Sequence, residues 1–394
     1  MNIQNLTVPH GWQINTVGNC CSICNHLREP ISATVRQTMQ GQYPYYGPTR
    51  PVDFLDHYRL NGKYALIGED GDHFLKYAKW SMTQLVEGKF NVNNHAHVIQ
   101  GTEKCSAEWF FFFFQHTNIF PFLTRQGSGR YKLNKATLKK LPVLLPPLPE
   151  QHKIAEILGA WDEAIRLTER LIEGKQKRKK GLMQQLLTGK VRFPGFEGEW
   201  KTGLIGDIAK VRRGASPRPI KDPKWFSENG RGWVRIADIT KTRSRFLNET
   251  TQYLSPLGEG RSVRVDPGDL IMSIAATIGV PKIVNIPACI HDGFVTFSEY
   301  EDRVDQEFFY YALTFLTDKL SSRGQPGTQK NLNTKLVRKI SIPLISLEEQ
   351  IRIAQVLNMC EEELDFLQQK AAALRQQKKG LMQQLLTGKV RVKV

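Results

Sequence analysis

The sequence predicts an α+β chain: two unlike α/β globular domains separated by two long, near-identical helices, which pair as an antiparallel coiled coil with pseudo-two-fold symmetry. Three observations predict it. One is an internal repeat at constant spacing, the second a heptad stripe inside each copy of the repeat. The third is a set of short β-rich runs with Gly/Pro turns in the segments between. A chain of 394 residues also exceeds the roughly 250–300 at which single cores stop growing, so two domains are expected from length alone.

The repeat comes first because it sets the frame for everything else. KKGLMQQLLTGKVR at Lys179 to Arg192 recurs without one change at Lys378 to Arg391, an offset of 199. The same register carries upstream: LPEQHKIAEIL (148–158) faces LEEQIRIAQVL (347–357), GSGRYKLN (127–134) faces PGTQKNLN (326–333), and EWFFFF (108–113) faces EFFYYA (307–312). Nearer the start of each half a second register, offset 188, aligns Trp12, Val17, Gly18 and Asn19 with Trp200, Ile205, Gly206 and Asp207. Between these anchors the halves diverge. The expected division is a globular domain at 1–147, a helix segment at 148–192, a second globular domain at 193–346 and a second helix segment at 347–394.

Each helix segment carries apolar residues at alternating steps of four and three. In the first copy the stripe runs through Ile154, Leu158, Trp161, Ile165, Ile172, Leu182 and Leu186. In the second it runs through Ile353, Leu357, Leu364, Leu367, Leu374, Leu381 and Leu385. Prolines followed by Glu150, and by Glu348 and Glu349, mark the starts, and Thr188-Gly189 and Thr387-Gly388 mark the stops. Helices of about 38 residues, some 57 Å long, need partners for these stripes. Within one chain the nearest partner is the other copy, and the shortest return path makes the pair antiparallel, with the globular domains at opposite ends. The unchanged 14 residues leave two readings open: a docking surface for two copies of one partner, or recent duplication. The surface reading rests on Gln184, Gln185, Lys190 and Arg192, which helix packing does not require to recur.

The globular segments hold the binding candidates. In the second, strand-like runs at 233–236, 270–274 and 293–297 precede a helical stretch at 307–320. From Lys210 to Arg264 there are 13 Lys/Arg against 5 Asp/Glu. Arg212, Arg213, Arg218, Lys221, Lys241, Arg243 and Arg245 fall in loop-like sequence there, where guanidinium groups are suited to fork onto guanine edges or phosphate. In the first, GQYPYYGPTR places Tyr43, Tyr45, Tyr46 and Arg50 in a turn-rich stretch; the tyrosines read equally as base contacts or as packing residues. The paired Gly-rich loops, with Arg130, Lys132, Gln325, Gln329 and Lys330, are expected to grip backbone phosphate rather than read sequence.

Composition narrows the function. A formal charge of +17 calls for a polyanionic partner, nucleic acid or an anionic membrane face. No apolar run reaches the ~18–20 residues of a bilayer span and the start lacks a signal-peptide pattern, so a cytoplasmic protein is expected. Six cysteines without a regular framework fit a reducing compartment. Cys20, Cys21, Cys24 and His26 contain a C-x-x-C with no second pair at zinc spacing, and His95 and His97 alternate along a strand, so no metal site is expected. A phosphate-binding loop, a dinucleotide fingerprint, an amino-methyltransferase motif and a nuclease constellation are all absent. A non-catalytic chain is expected.

With variable domain, long helix, variable domain and long helix in that order, the chain resembles the specificity (S) subunit of type I restriction-modification enzymes over essentially its whole length. The motifs that carry the likeness are LPPLPEQHKIAEIL with LISLEEQIRIAQVL, the GLMQQLLTGKVR helix ends, GQYPYYG with NNHAHV, and IGDIAKVRRGASP, VRIADIT, VDPGDLIMS and TIG. The resemblance implies two target-recognition domains, each reading one half of an asymmetric, bipartite site on double-stranded DNA, with the helices setting the spacer. It implies two modification (methyltransferase) subunits as partners, joined by restriction (translocase and nuclease) subunits in a bacterial or archaeal cytoplasm. S-adenosylmethionine, ATP and Mg2+ would sit on those subunits and no cofactor on this chain. The alternative is a stand-alone DNA-binding or coiled-coil scaffold without a modification partner.

Overall fold

The computed structural model describes residues 7–126, 130–241, 244–322 and 332–393, without the side chains at 125, 126, 130 and 318–322. The chain divides into two compact units. The first comprises residues 1–168 and 370–394, the second 169–369. Both long helices are therefore shared out between units.

The first half runs β1 (Gln13–Thr16), α1 (Val17–Cys20), β2 (Ser22–Ile23), α2 (Ala33–Arg36), β3 (Gln40–Tyr46), β4 (Pro51–Leu55), β5 (Leu60–Gly68), β6 (Thr83–Val92), β7 (Ala96–Gln100), α3 (Ala107–Gln115), β8 (Thr124–Gln126), β9 (Arg130–Lys132), α4 (Lys135–Lys140), β10 (Pro142–Leu145) and α5 (Leu148–Leu186). Six strands form one sheet in the order β2-β7-β5-β6-β3-β4, and β1 pairs antiparallel with β10. The phenylalanine run is the apolar face of α3, buried on β5 and β6.

The second half begins with β11 (Lys201–Leu204), α6 (Ile205–Ile208) and β12 (Lys210–Arg213). It continues through β13 (Phe226–Ser227), β14 (Arg231–Val234), α7 (Ile236–Lys241), β15 (Phe246–Leu247), β16 (Tyr253–Leu254), α8 (Pro256–Glu259) and β17 (Val263–Val265). It closes with β18 (Leu270–Ser273), β19 (Pro281–Val284), β20 (Ala288–Ile290), β21 (Phe294–Ser298), α9 (Gln306–Ser322), α10 (Thr334–Arg338), β22 (Ser341–Leu344) and α11 (Leu347–Leu385). Two five-stranded sheets result, β12-β21-β18-β19-β15 and β13-β16-β14-β20-β17, while β11 pairs with β22.

The repeated residues build the same base in both units. Val17 N–H donates to Leu141 O and Ile205 N–H to Ile340 O, at 3.0 and 2.9 Å. Asn134 and Asn333 cap α4 and α10 through their side-chain oxygens, satisfying an orphan first-turn N–H in each. Gln151, fully buried, accepts from Ser106 N–H at 2.9 Å and donates to Lys104 O and Pro146 O. Gln350 does the same with Asp305 N–H, Arg303 O and Ile345 O. The LPEQ and LEEQ motifs recur because each glutamine ties the start of a long helix to the turn before α3 or α9.

α5 and α11 are each 39 residues long and pack antiparallel in both units. In the first unit Lys378 reaches Asp162 at 2.5 Å and Arg391 forks onto Glu150 at 2.7 Å. In the second Lys179 pairs with Glu361, and Arg192 forks onto Glu349 at 2.8–2.9 Å. Every one of these residues is 199 from its counterpart. All the predicted stripe residues are buried or half-buried. Met382, Leu385 and Leu386, near the end of α11, complete the core of the first unit around Ile154 and Leu158. Met183, Leu186 and Leu187 complete that of the second around Ile353 and Leu357. Gly189 and Gly388 end the helices at φ of +68° and +66°, a conformation glycine adopts without Cβ strain.

Candidate nucleic-acid interface

The two sheets share a frame. The strands β2-β7-β5-β6 match β12-β21-β18-β19, with Ser22 of β2 falling on Lys210 of β12 in the 188 register. At one end of each frame three segments converge. Glu69 N–H donates to His95 O and Leu133 N–H to Glu69 O, both at 2.8 Å. Ile274 N–H donates to Gly293 O at 2.8 Å and Leu332 N–H to Ile274 O at 2.9 Å. Leu133 and Leu332 are 199 apart and close the two Gly-rich loops, so both loops join the frame at this corner. Gln325, Gln329 and Lys330 lie outside the described residues, as does Arg243; Arg130 is described only as the first backbone position of β9.

In the second unit, arginines gather at this corner around one carboxylate. Arg213, at the end of β12, donates from Nε to Asp292 O at 2.8 Å, and Arg218 reaches the Asp292 carboxylate at 3.1 Å. Ser216 Oγ donates to Asp292 Oδ1 at 2.5 Å. That bond, with the charge of Arg218, holds the Asp292 carboxyl below its usual range against the effect of burial. Burial and the nearby Arg235 push His291 down, leaving a neutral ring whose Nδ1 accepts from Gly293 N–H at 2.9 Å. The turn needs Gly214, where a Cβ would stand 2.1 Å from His291 O. Arg212, Arg213, Arg218, Lys221, Lys224, Arg235 and Lys241 are all exposed, and Lys224 lies 4.6 Å from the Trp225 ring. Guanidiniums held by one or two contacts keep further N–H donors for phosphate oxygens or guanine O6 and N7.

The corner of the first unit is more neutralised. Glu69 takes Arg28 at 2.6 Å and Lys132 at 3.4 Å, and Asp70 takes His95 at 2.9 Å. Burial pushes His97 down; its Nε2 donates to Leu133 O at 2.6 Å. The two histidines thus go to separate partners. Exposed cations and aromatics appear instead on the connection from β5 to β6, where Lys76 lies 5.0 Å from the ring of exposed Trp80. Lys79 is exposed beside them, and so is Arg50 on the β3–β4 turn. Tyr43 packs at 5.0 Å on Tyr58, which carries Lys89 over its face at 4.7 Å.

A family model described as the type I restriction modification DNA specificity domain matches residues 9–174 and again residues 197–376. The chain belongs to that family. It is 27% identical over 350 residues to a putative type I restriction enzyme specificity subunit of Haemophilus influenzae, covering 86% of this chain and 85% of that protein. It is 25% identical to the type I restriction enzyme MjaVIII specificity subunit of Methanocaldococcus jannaschii, covering 98% and 95%. A third relative, the putative MjaX specificity subunit of the same archaeon, is 29% identical but aligned over only 66% of its length. The S subunit of the M. genitalium type I system superposes with a TM-score of 0.66 at 15% identity over 97% of this chain and 96% of that one. A chain from a structure concerned with complex assembly and conformational transition of a type I system superposes at 0.57, 20% identical, over 98% and 100%.

Within this family member the tyrosines, Arg245 and Arg192 are placed as follows. Tyr45 offers no surface for DNA: it is 1% exposed, donates to Glu29 O and accepts from Ile31 N–H. Tyr46 is half-buried edge-on against Phe90, and Tyr43 is half-buried as well. Arg245 is turned inward, 8% exposed, onto Glu361 of α11 at 3.1 Å, where it joins the ion pair with Lys179. Arg192, one of the four residues on which the partner-surface reading rests, is bound to Glu349 of its own chain. Gln184, Gln185 and Lys190 are exposed. Lys76, Lys79 and Trp80 were missed, although the interleaving of HFLKYAKW carried the signal. Asp292 was missed because nothing near it in sequence marks an acid as the hub of an arginine cluster.

Proposed function

We propose that this specificity-family chain is the DNA-reading subunit of a type I restriction-modification complex, recognising an asymmetric bipartite site with one domain per half. The observation that carries the reading is the pairing of a common frame with unlike insertions. The segment between β2 and β5 builds a two-strand extension of one sheet, whereas that between β12 and β18 builds most of a second sheet and brings Ser216 and Arg218 onto Asp292. Two different readers on one frame suit two different half-sites. The chain itself is proposed to be non-catalytic and cytoplasmic, with S-adenosylmethionine, ATP and Mg2+ held by the modification and restriction subunits. Among the described residues no helix is long and apolar enough to cross a membrane.

Two modification subunits are proposed to dock on equivalent positions of the helices. Leu167 of α5 and Phe366 of α11 are 199 apart and are 51% and 65% exposed, a repeated exposed apolar residue that helix packing leaves unused. The decisive experiment is DNA binding by the full chain with its modification subunits. Arg213→Ala and Arg218→Ala are each expected to weaken binding and to lower the slope of log affinity against log salt by about 0.9 per lost phosphate contact. Binding that ignores both salt and these substitutions overturns the DNA reading. Sequence-selective binding without any association with modification subunits favours the stand-alone alternative.

A further inference from the structure

The first unit carries a cluster of thiols that DNA reading does not use. Cys20 ends α1, Cys21 follows it, and Cys105 stands just before α3. Their three sulfurs all lie within 4.8 Å of one another, and Cys20 and Cys21 are 3.8 Å apart. All three are buried, at 1%, 8% and 0% exposure. The backbone holds them there independently of the sulfurs. Cys21 N–H donates to Val17 O at 2.9 Å, Thr102 N–H to Cys105 O at 2.8 Å, and Thr102 Oγ1 to Cys20 O at 2.6 Å. Cys24 is not part of the cluster; its sulfur contacts Gln100 and belongs to another region of the core.

The duplicated half shows what this corner needs for packing alone. In the two registers Cys20, Cys21 and Cys105 correspond to Ile208, Ala209 and Val304. The equivalence is structural too, since Glu301 N–H donates to Ile208 O at 3.0 Å where Thr102 serves Cys20 O. Hydrocarbon fills the second corner, so thiols are not required by the fold in the first.

We infer that Cys20, Cys21 and Cys105 form a three-sulfur site for a thiophilic d10 cation, with Cu(I) the best match. A metal–sulfur bond of about 2.3 Å places three sulfurs about 3.8–4.0 Å apart around one ion, within the spacing that the backbone already sets. Soft thiolate donors select Cu(I) and Zn(II), and no fourth His, Cys, Asp or Glu joins the group among the described residues. That favours the ion content with three ligands. Hydrogen bonds from Cys105 and Cys21, and to a lesser extent the nearby charge of Lys104, draw Cys20 toward the thiolate against the effect of burial. Bound metal would fasten α1 to the start of α3 and release thiol protons on binding.

The test titrates the reduced full-length chain, under anaerobic conditions, with Cu(I) and separately with Zn(II) against a chromophoric chelator. One equivalent of Cu(I) is expected, with sulfur-to-metal charge-transfer absorption and a raised Tm, and weaker uptake of Zn(II). Cys105→Val and Cys20→Ile, which install the side chains of the twin corner, are expected to fold and to lose at least about 100-fold in affinity, because outer-shell changes alone cost about 10–100-fold. Cys24→Ser is expected to bind as the native chain does. The proposal is overturned if the native chain takes up no stoichiometric Cu(I), or if Cys105→Val binds it unchanged. A disulfide within the triad that persists under reduction and blocks uptake overturns it as well.

Discussion

The frames of the two units are alike and their insertions are not. β2-β7-β5-β6 and β12-β21-β18-β19 carry the same corner, the same asparagine-capped helix and the same buried glutamine. Yet the first unit widens its sheet with β3 and β4, while the second adds a whole sheet. The difference teaches where this chain tolerates change. Residues that hold the frame meet buried backbone groups or the opposite helix, whereas the insertions reach solvent. At the Glu69 corner the arginine, Arg28, is tied to Glu69 and to the carbonyls of Asn94 and Ala96, whereas Arg213 and Arg218 around Asp292 stay exposed.

The comparison breaks most sharply if an insertion alone exchanges specificity. Replacing residues 214–269 with the matching segment of another family member should change one half of the methylated site completely and leave the other untouched. Methylation mapping reads the result, and a change in both halves would show that the frame reads bases too. Next in size is the buried glutamine. Gln151→Ala and Gln350→Ala each leave three backbone partners unsatisfied, and should each lower stability by about 3 kcal/mol in denaturant unfolding followed by circular dichroism. Unequal losses would mean the frames are alike in geometry but not in energy. The smallest effect concerns the close approach of α1 to α4 and of α6 to α10. A Cβ at Gly18 would stand 3.0 Å from Lys139 Cβ, and one at Gly206 2.9 Å from Arg338 Cβ. Gly18→Ala and Gly206→Ala should each cost about 1–3 kcal/mol; a neutral substitution at either would show that this backbone contact is loose.

Much of the fold was legible because it is written in spacings. The 4,3 stripe specified two helices and their inward faces, Thr-Gly marked their ends, and the shortest return path of the chain gave their antiparallel pairing; the cross-helix ion pairs Lys179–Glu361 and Lys378–Asp162 came only with the structure. Legibility failed where neighbours of one residue type face opposite ways. Tyr45 and Tyr46 are adjacent on β3, and only its partners β4 and β6 decide that Tyr45 goes to the core, since successive side chains alternate across a strand. Arg213 and Arg245 belong to one basic run; the acid that takes Arg245 inward lies 116 residues away.

By itself the sequence determined the duplication, the two helices with their antiparallel pairing, and the family, all of which depend on periodicity and on residues close along the chain. Only the tertiary structure decided which cations are free, that the repeated Arg192 and Arg391 clamp the buried glutamates Glu349 and Glu150, and that Cys105 completes a triangle with Cys20 and Cys21. The physical reason is common to all three: a buried charge or thiol is defined by what surrounds it in space, and those surroundings come from segments dozens to hundreds of residues apart.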